Sequence, residues 1–221
     1  MYYKPFCALA LCLALTYATP ALADKYSEDF NAPAKPDGTI TGWTLCPGFS
    51  EAPGALAFDG TAGGHAIWNA VPLAKTMTYT AKITPGEAVG KDWDIAGIEI
   101  YFDDQNFWRL ALCQAPDGDL KKMHYADFNE CYNGVWGADS AQDTKLTRNN
   151  AVNIPGWNPG DTLLFKIVLT PQQIQGQVFQ GDVLKYDCTC KFDGPAVKKG
   201  RPALFGGGLK ARFAELRVDA P

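Results

Sequence analysis

A chain of 221 residues that is 47% hydrophobic and 20% charged has the composition of a globular protein and excludes an intrinsically disordered one. Its formal net charge of −4 argues against nucleic acid or an anionic membrane as partner, because both demand a basic footprint. No basic stripe interrupts this balance, and Lys198-Lys199-Gly200-Arg201 reads as a solvated turn.

Residues 1–23 read as a secretory leader. Lys4 supplies the positive start, Phe6 to Leu15 the apolar stretch, and Ala21-Leu22-Ala23 an A-x-A cleavage site. Cleavage after Ala23 leaves residues 24–221, a length that suits one all-β domain. Removing Lys4 takes the mature charge to −5. No later run approaches the roughly 18 apolar residues that cross a bilayer. Neither Cys7 nor Cys12 has the small preceding residue of a lipoprotein site. A soluble periplasmic or secreted protein without membrane insertion is expected.

The mature chain is punctuated by Pro and Gly at short intervals, with β-branched and aromatic runs between them. Ala55 to Phe58 and His65 to Trp68 are short strands. Thr76 to Thr84 alternates and is expected to end at Pro85-Gly86. Asp94 to Phe102 and Phe107 to Gln114 flank Asp103-Asp104-Gln105-Asn106, a hairpin turn. Lys121 to Phe128 and Cys131 to Trp136 follow as two strands. Ala138 to Thr147 is the only modest helical candidate, and it lacks an apolar stripe at helical spacing. Thr162 to Thr170 stops at Pro171, Ile174 to Phe179 and Val183 to Phe192 flank Gln180-Gly181-Asp182, and Pro202 to Phe205 and Ala211 to Val218 close the chain. Long strands that alternate polar with apolar belong to antiparallel sheets with one wet face. The pattern predicts an all-β fold, a two-sheet antiparallel β-sandwich of jelly-roll type. Tyr26 to Phe30 and Phe213 to Val218 are expected to lie side by side.

The order of Ser27-Glu28-Asp29-Phe30, Gly42-Trp43, Gly63-Gly64-His65-Ala66, Tyr79-Thr80, Ala96-Gly97-Ile98, Asn106-Phe107, Gln180-Gly181-Asp182-Val183 and Gly200-Arg201-Pro202-Ala203-Leu204 resembles the concanavalin A-like lectin/glucanase superfamily, in particular its laminin-G-like bacterial modules. The resemblance spans almost the whole mature chain. It implies a carbohydrate polymer or oligosaccharide bound on a concave sheet. It also implies that no cofactor is required beyond a possible structural Ca²⁺ near the termini, for which Glu28, Asp29 and Asp219 are the local oxygens. Glucanases of the superfamily share a Glu-x-Asp-x-x-Glu strand; here the comparable strand carries Glu99 alone between Asp94 and Asp103, so that motif is absent.

Five cysteines follow the leader, so at least one stays outside any intrachain disulfide. Cys113 with Cys131, flanking a hairpin-like segment, is the preferred bridge, and Cys46 is paired with Cys188 or Cys190. Cys188 and Cys190, at i and i+2, share one strand face; with two histidines in the chain, structural disulfide chemistry outweighs a soft-metal site.

Period-2 alternation puts Ile98, Ile100 and Phe102 in the core and Gly97, Glu99 and Tyr101 on the open face. Glu99 is then a base, a sugar-hydroxyl acceptor, a solvated strand residue or one half of an ion pair with Arg109 across the hairpin. His65, after two glycines, stands where a neighbour or ligand approaches closely. His124, with Tyr101, Arg109 and Glu99, is the candidate set for an enzyme, a lyase or glycoside hydrolase. Trp68, Trp93 and Trp136 near loops, joined by His65, Glu99, Tyr101 and Arg109, are the candidate sugar contacts. Trp157 is expected to be partly exposed, and Trp43 and Trp108 to be core. The leading reading is a carbohydrate-binding domain. The alternatives are a polysaccharide-degrading enzyme on the same fold and a laminin-G-like protein-interaction module.

Overall fold

The computed structural model describes residues 24–32, 35, 39–117, 122–137 and 157–220; the leader and the 138–147 helical candidate lie outside the described residues. No helix occurs among them. The strands are β1 (Asp24–Glu28), β2 (Trp43–Leu45), β3 (Phe49–Ala52), β4 (Ala55–Phe58), β5 (Gly63–Trp68), β6 (Met77–Ala88), β7 (Asp94–Asp103), β8 (Asn106–Gln114), β9 (His124–Tyr132), β10 (Val135–Trp136), β11 (Leu163–Leu169), β12 (Gln173–Gln180), β13 (Val183–Lys191), β14 (Arg201–Gly207) and β15 (Leu209–Ala220).

They form two antiparallel sheets. An eight-stranded sheet runs β13-β12-β11-β6-β15-β4-β3 with β1 paired to β15, and a seven-stranded sheet runs β10-β9-β8-β7-β14-β5-β2. The terminal strands do lie side by side, with Tyr26 opposite Val218. Between the sheets sits one core. Ile98 and Ile100 of β7, Trp108 and Leu110 of β8 and Phe128 of β9 meet Tyr79 and Ile83 of β6, Phe165 and Ile167 of β11, and Phe213 and Val218 of β15. Trp43 and Trp108 are core, as expected, and so is Trp157, which is buried and donates its Nε1 hydrogen to the Tyr125 carbonyl.

Several boundaries differ from the sequence reading for local reasons. β6 runs through Pro85 instead of ending there; Pro85 lies opposite Ala211, next to an irregular step in β15 where a ladder hydrogen can be spared. The expected break at Asn129-Glu130 is absent, and β9 continues to Tyr132. The reversal comes at Asn133-Gly134, whose φ values of +51° and +78° suit a tight type I′ connection. Phe102 is the extra residue of a bulge between Tyr101 and Asp103, and it is turned out to solvent instead of into the core. In β15 the alternation changes phase after Ala214, where Glu215 takes a φ of +50°; both Phe213 and Leu216 thereby face inward.

The expected disulfides are not formed. The β8–β9 ladder sets Cys113 opposite Tyr125 and Cys131 opposite Phe107. That separates the two cysteines by six strand steps, about 20 Å, where a bridge needs Cα atoms within about 7 Å. Cys46 follows β2 at one edge of the seven-stranded sheet, and Cys188 lies on β13 at the edge of the other sheet. Cys188 and Cys190 do share a face, their sulfurs 3.9 Å apart.

Glu130 is the one carboxylate aimed between the sheets from β9. Its Oε1 accepts the Val197 N–H at 2.6 Å, while Oε2 has no partner. Burial pushes the Glu130 carboxyl up from 4.5 to about 7, against the opposing pull of the Val197 N–H and Lys198. The folded chain therefore keeps a proton that the unfolded chain releases. Glu130 contributes its full stability below pH 4.5 and loses it as pH rises through about 7. Glu130→Gln keeps an acceptor for Val197 and removes the charge. Urea melts across pH are expected to show a flatter profile for the variant and, at pH 8, an advantage over the parent of about 2–3 kcal/mol. An unchanged slope between pH 4.5 and 7 would contradict this account of Glu130.

Candidate functional site

The outward face of the seven-stranded sheet carries the residues left over when Ile98, Ile100, Trp108 and Leu110 turn into the core. In β7 these are Gly97, Glu99 and Tyr101; in β8, Phe107, Arg109 and Ala111; in β14, Arg201, Ala203 and Phe205. The register sets Glu99 between Arg109 of β8 and Ala203 of β14, with Ile67 of β5 beyond. His65 stands on β5 opposite Phe205. The small Ala203 leaves the His65 ring room to reach across β14.

These positions close a charged cluster. Arg109 Nε donates to Glu99 Oε1 at 2.7 Å, and His65 Nδ1 lies 2.6 Å from Glu99 Oε2. Glu99 is fully buried, and the His65 side chain keeps 17% of its surface exposed. Glu99 is thus on the open face, as its strand phase predicted, yet it is not solvated. The expected Glu99–Arg109 pair forms across the hairpin, and the bulge at Phe102 lies beyond it, so the register holds. The second nitrogen of His65, Nε2, has no hydrogen-bond partner among the described residues.

Aromatic rings frame the cluster. The Arg109 guanidinium carbon lies 3.3 Å from the Phe205 ring centroid, 4.8 Å from that of Trp136 and 5.0 Å from that of Phe107. The His65 ring lies 4.9 Å from Tyr101 and 5.2 Å from Phe107. Tyr101 donates its hydroxyl to Asp104 at 2.5 Å. Burial, then the bond to Asp104, pushes its phenol far above the ordinary value, so it stays protonated and does not act as a base at neutral pH.

His65, Glu99, Tyr101, Arg109 and Trp136 are therefore brought together, and three other candidates are not. Trp68 is core: it stacks on Trp43 at 5.4 Å and cannot meet a sugar. Trp93 is exposed and packs edge-on against Tyr125, but it lies beside Asp94, five strand steps from Glu99. His124 points inward, its ring stacked on Trp157 at 3.8 Å. Its Nδ1 lies 2.9 Å from the Trp157 carbonyl and its Nε2 2.9 Å from Gln114 Oε1, so both nitrogens are engaged. His124 is a structural hydrogen-bonder and leaves the catalytic set. Phe205, Phe107 and Ala203 were missed by the sequence reading. The signal for Ala203 and Phe205 was the alternation Arg201, Ala203, Phe205, which puts them on the Glu99 face once β14 is known to pair β7, and that for Phe107 was its phase with Arg109 on β8.

The proposed calcium oxygens do not converge. Glu28 accepts from the Phe30 N–H and from Trp43 Nε1, and Asp29 accepts from the Asn31 N–H. Asp219 pairs with Lys25, three ladder steps from Glu28. Among the described residues no group of three metal-binding side chains is assembled.

No protein-family model matches this chain, and no curated protein matches its sequence. Solved structures do match it. A mutant of the GH43 protein BlXynB of Bacillus licheniformis is 14% identical with a TM-score of 0.59, covering 88% of this chain; the chain spans only 39% of that protein. The carbohydrate-binding module CBM66 of Bacillus subtilis is 13% identical with a TM-score of 0.59, covering 82% of this chain and 97% of the module. The β-glucanase of Bacillus licheniformis is 14% identical with a TM-score of 0.57, covering 92% of this chain and all of that one, 100%. The chain has the concanavalin A-like jelly-roll fold. At such identities the likeness is one of fold.

Removing the Glu99 carboxylate should be costly. Glu99→Ala leaves Arg109 and His65 facing an empty buried position, and urea denaturation is expected to show a loss of about 3–5 kcal/mol. Lys82→Ala, which breaks an exposed ion pair with Glu215, is expected to lose under about 1 kcal/mol. A Glu99→Ala protein as stable as the parent would contradict the buried cluster.

Proposed function

We propose that this protein is a secreted or periplasmic carbohydrate-binding jelly-roll domain whose ligand sits on the outward face of the seven-stranded sheet. The observation that carries the reading is the His65–Glu99–Arg109 cluster set in a frame of aromatic rings. Sugars present both axial C–H faces and rows of hydroxyls. A protein meets the first with aromatic faces and the second with a few fixed planar polar groups. Half-buried Phe205 and Trp136 offer the former. The open nitrogen of His65 and the guanidinium edge of Arg109 offer the latter. Glu99, with both oxygens engaged, is a positioning residue that holds the other two. The fold neighbours include a carbohydrate-binding module, which is consistent with this use of the fold but does not carry it.

One observation favours an enzymatic reading: a histidine whose Nδ1 is held by a carboxylate presents its Nε2 in the manner of a positioned base. Release of reducing ends or unsaturated products from a polysaccharide panel, lost in His65→Ala, would establish it.

Affinity electrophoresis against immobilised polysaccharides checks the binding reading. At least one polymer is expected to retard the protein. Trp136→Ala and Phe205→Ala are expected to weaken that retardation tenfold or more, and His124→Ala to leave it unchanged in a folded protein. Free migration in every polymer, or retardation indifferent to the two aromatic variants, would remove this site from consideration.

A further inference from the structure

Resting on that reading of the site, we propose that its glycan is acidic: the oxyanion of a uronate carboxylate or a sulfate ester docks on the terminal nitrogens of Arg109. Arg109 is only 6% exposed, and its Nε is committed to Glu99. Its two terminal nitrogens make no hydrogen bond among the described residues. Strong donors fixed on a nearly buried side chain and left without a protein partner are available to an anionic ligand.

The surroundings say which kind. Phe205 covers the guanidinium at 3.3 Å and Trp136 lies 4.8 Å away, so the plane of the fork is fixed by rings. Glu99 takes the Nε side. What remains is the edge carrying the terminal nitrogens, whose two parallel N–H bonds match a pair of oxygens on one planar or tetrahedral anion. A neutral sugar hydroxyl presents one weaker acceptor. An apolar frame also lowers the local dielectric and strengthens a charge-assisted bond.

The other charges on the face fit this assignment. Arg201, two ladder positions along β14 from Ala203 on the same face, is half-buried beside Tyr101 and donates to Asn69 at 3.1 Å. Lys199 lies at the same end, over Phe102. Two nearby acids point elsewhere: Asp104 accepts from Tyr101, and Asp127 accepts from Asn129 at 3.2 Å.

The test compares two pairs of polymers, each pair differing in charge on one backbone. Calorimetric titration of the full chain uses polygalacturonate with its fully methyl-esterified form, and dextran sulfate with neutral dextran, at low and at high salt. Polygalacturonate or dextran sulfate is expected to bind at least tenfold more tightly than its uncharged counterpart, and to weaken in high salt. Preference for the first identifies a carboxylate, preference for the second a sulfate. Arg109→Lys keeps the charge but lacks the fork, and it is expected to lose at least tenfold in that affinity. If the variant does not fold, the comparison of polygalacturonate with its ester on the parent protein still decides. Equal binding of the acid and ester forms overturns the inference while leaving the carbohydrate site standing; binding of no polymer overturns both.

Discussion

A carboxylate with no exposed surface, on the side of a sheet that alternation assigns to solvent, is the constraint around which the seven-stranded sheet is arranged. An isolated buried charge is very costly, and burying one is tolerable only when each oxygen finds a donor. Glu99 meets that condition with Arg109 on one side and His65 on the other. The pairing needs β8 in register so that Arg109 stands directly opposite. It needs β14 between β7 and β5, and a residue as small as Ala203 at the crossing. A slip of one residue in any of these ladders would turn a partner to the core face. The charged cluster and the register of three strand pairs therefore specify one another. That is a role in uniqueness more than in net stability, since well-packed apolar residues of the same volume would cost less.

The contrast with Glu130 makes the point sharper. Both glutamates are almost wholly removed from water. Glu99 faces outward, is met by a guanidinium and an imidazole, and has both oxygens bonded. Glu130 faces the core beside Trp108, has one backbone donor and one orphaned oxygen, and its carboxyl rises to about 7. Burial pushes the Glu130 carboxyl toward its neutral form, and among the described residues no cation on the ladder stands beside it as Arg109 stands beside Glu99. The same argument separates the two histidines. His124 is stacked and bonded at both nitrogens, and His65 is bonded at one.

Most of the strands were legible in the sequence because period-2 alternation is a local property. Ala55 to Phe58 matches its observed strand end for end, and Glu99 was assigned to its true face from the phase of Ile98 and Ile100. The errors fall where a local signal is overridden. Pro85 reads as a stop, but an irregular step in the neighbouring strand removes the need for its missing hydrogen. Phe102 reads as core in phase with Ile100, but a bulge before the turn expels it. Trp68 and Trp157 read as rim residues because they sit near turns, yet both rings are large enough to reach the core from there. The disulfides failed for a different reason. Cys113 and Cys131 flank a hairpin in sequence, but only the register says whether flanking residues meet, and here it places them about 20 Å apart. Likewise Phe205 was invisible as a site residue, because alternation gives a side chain its face and not the strand beside it.

The fold narrows the chemistry less than the site does. A retaining glycosidase needs a second carboxylate about 5–5.5 Å from the first. On this sheet the groups that reach Glu99 are a guanidinium and an imidazole. What the face presents outward is then a set of hydrogen-bond donors and acceptors at fixed angles, stiffened by stacked rings. The chain shares its fold with a β-glucanase over 92% of its length, and a shared fold does not fix the chemistry of the site. At Glu99 that chemistry is set by what stands opposite: a basic side chain across the hairpin, Arg109, donates to the carboxylate and fixes its position.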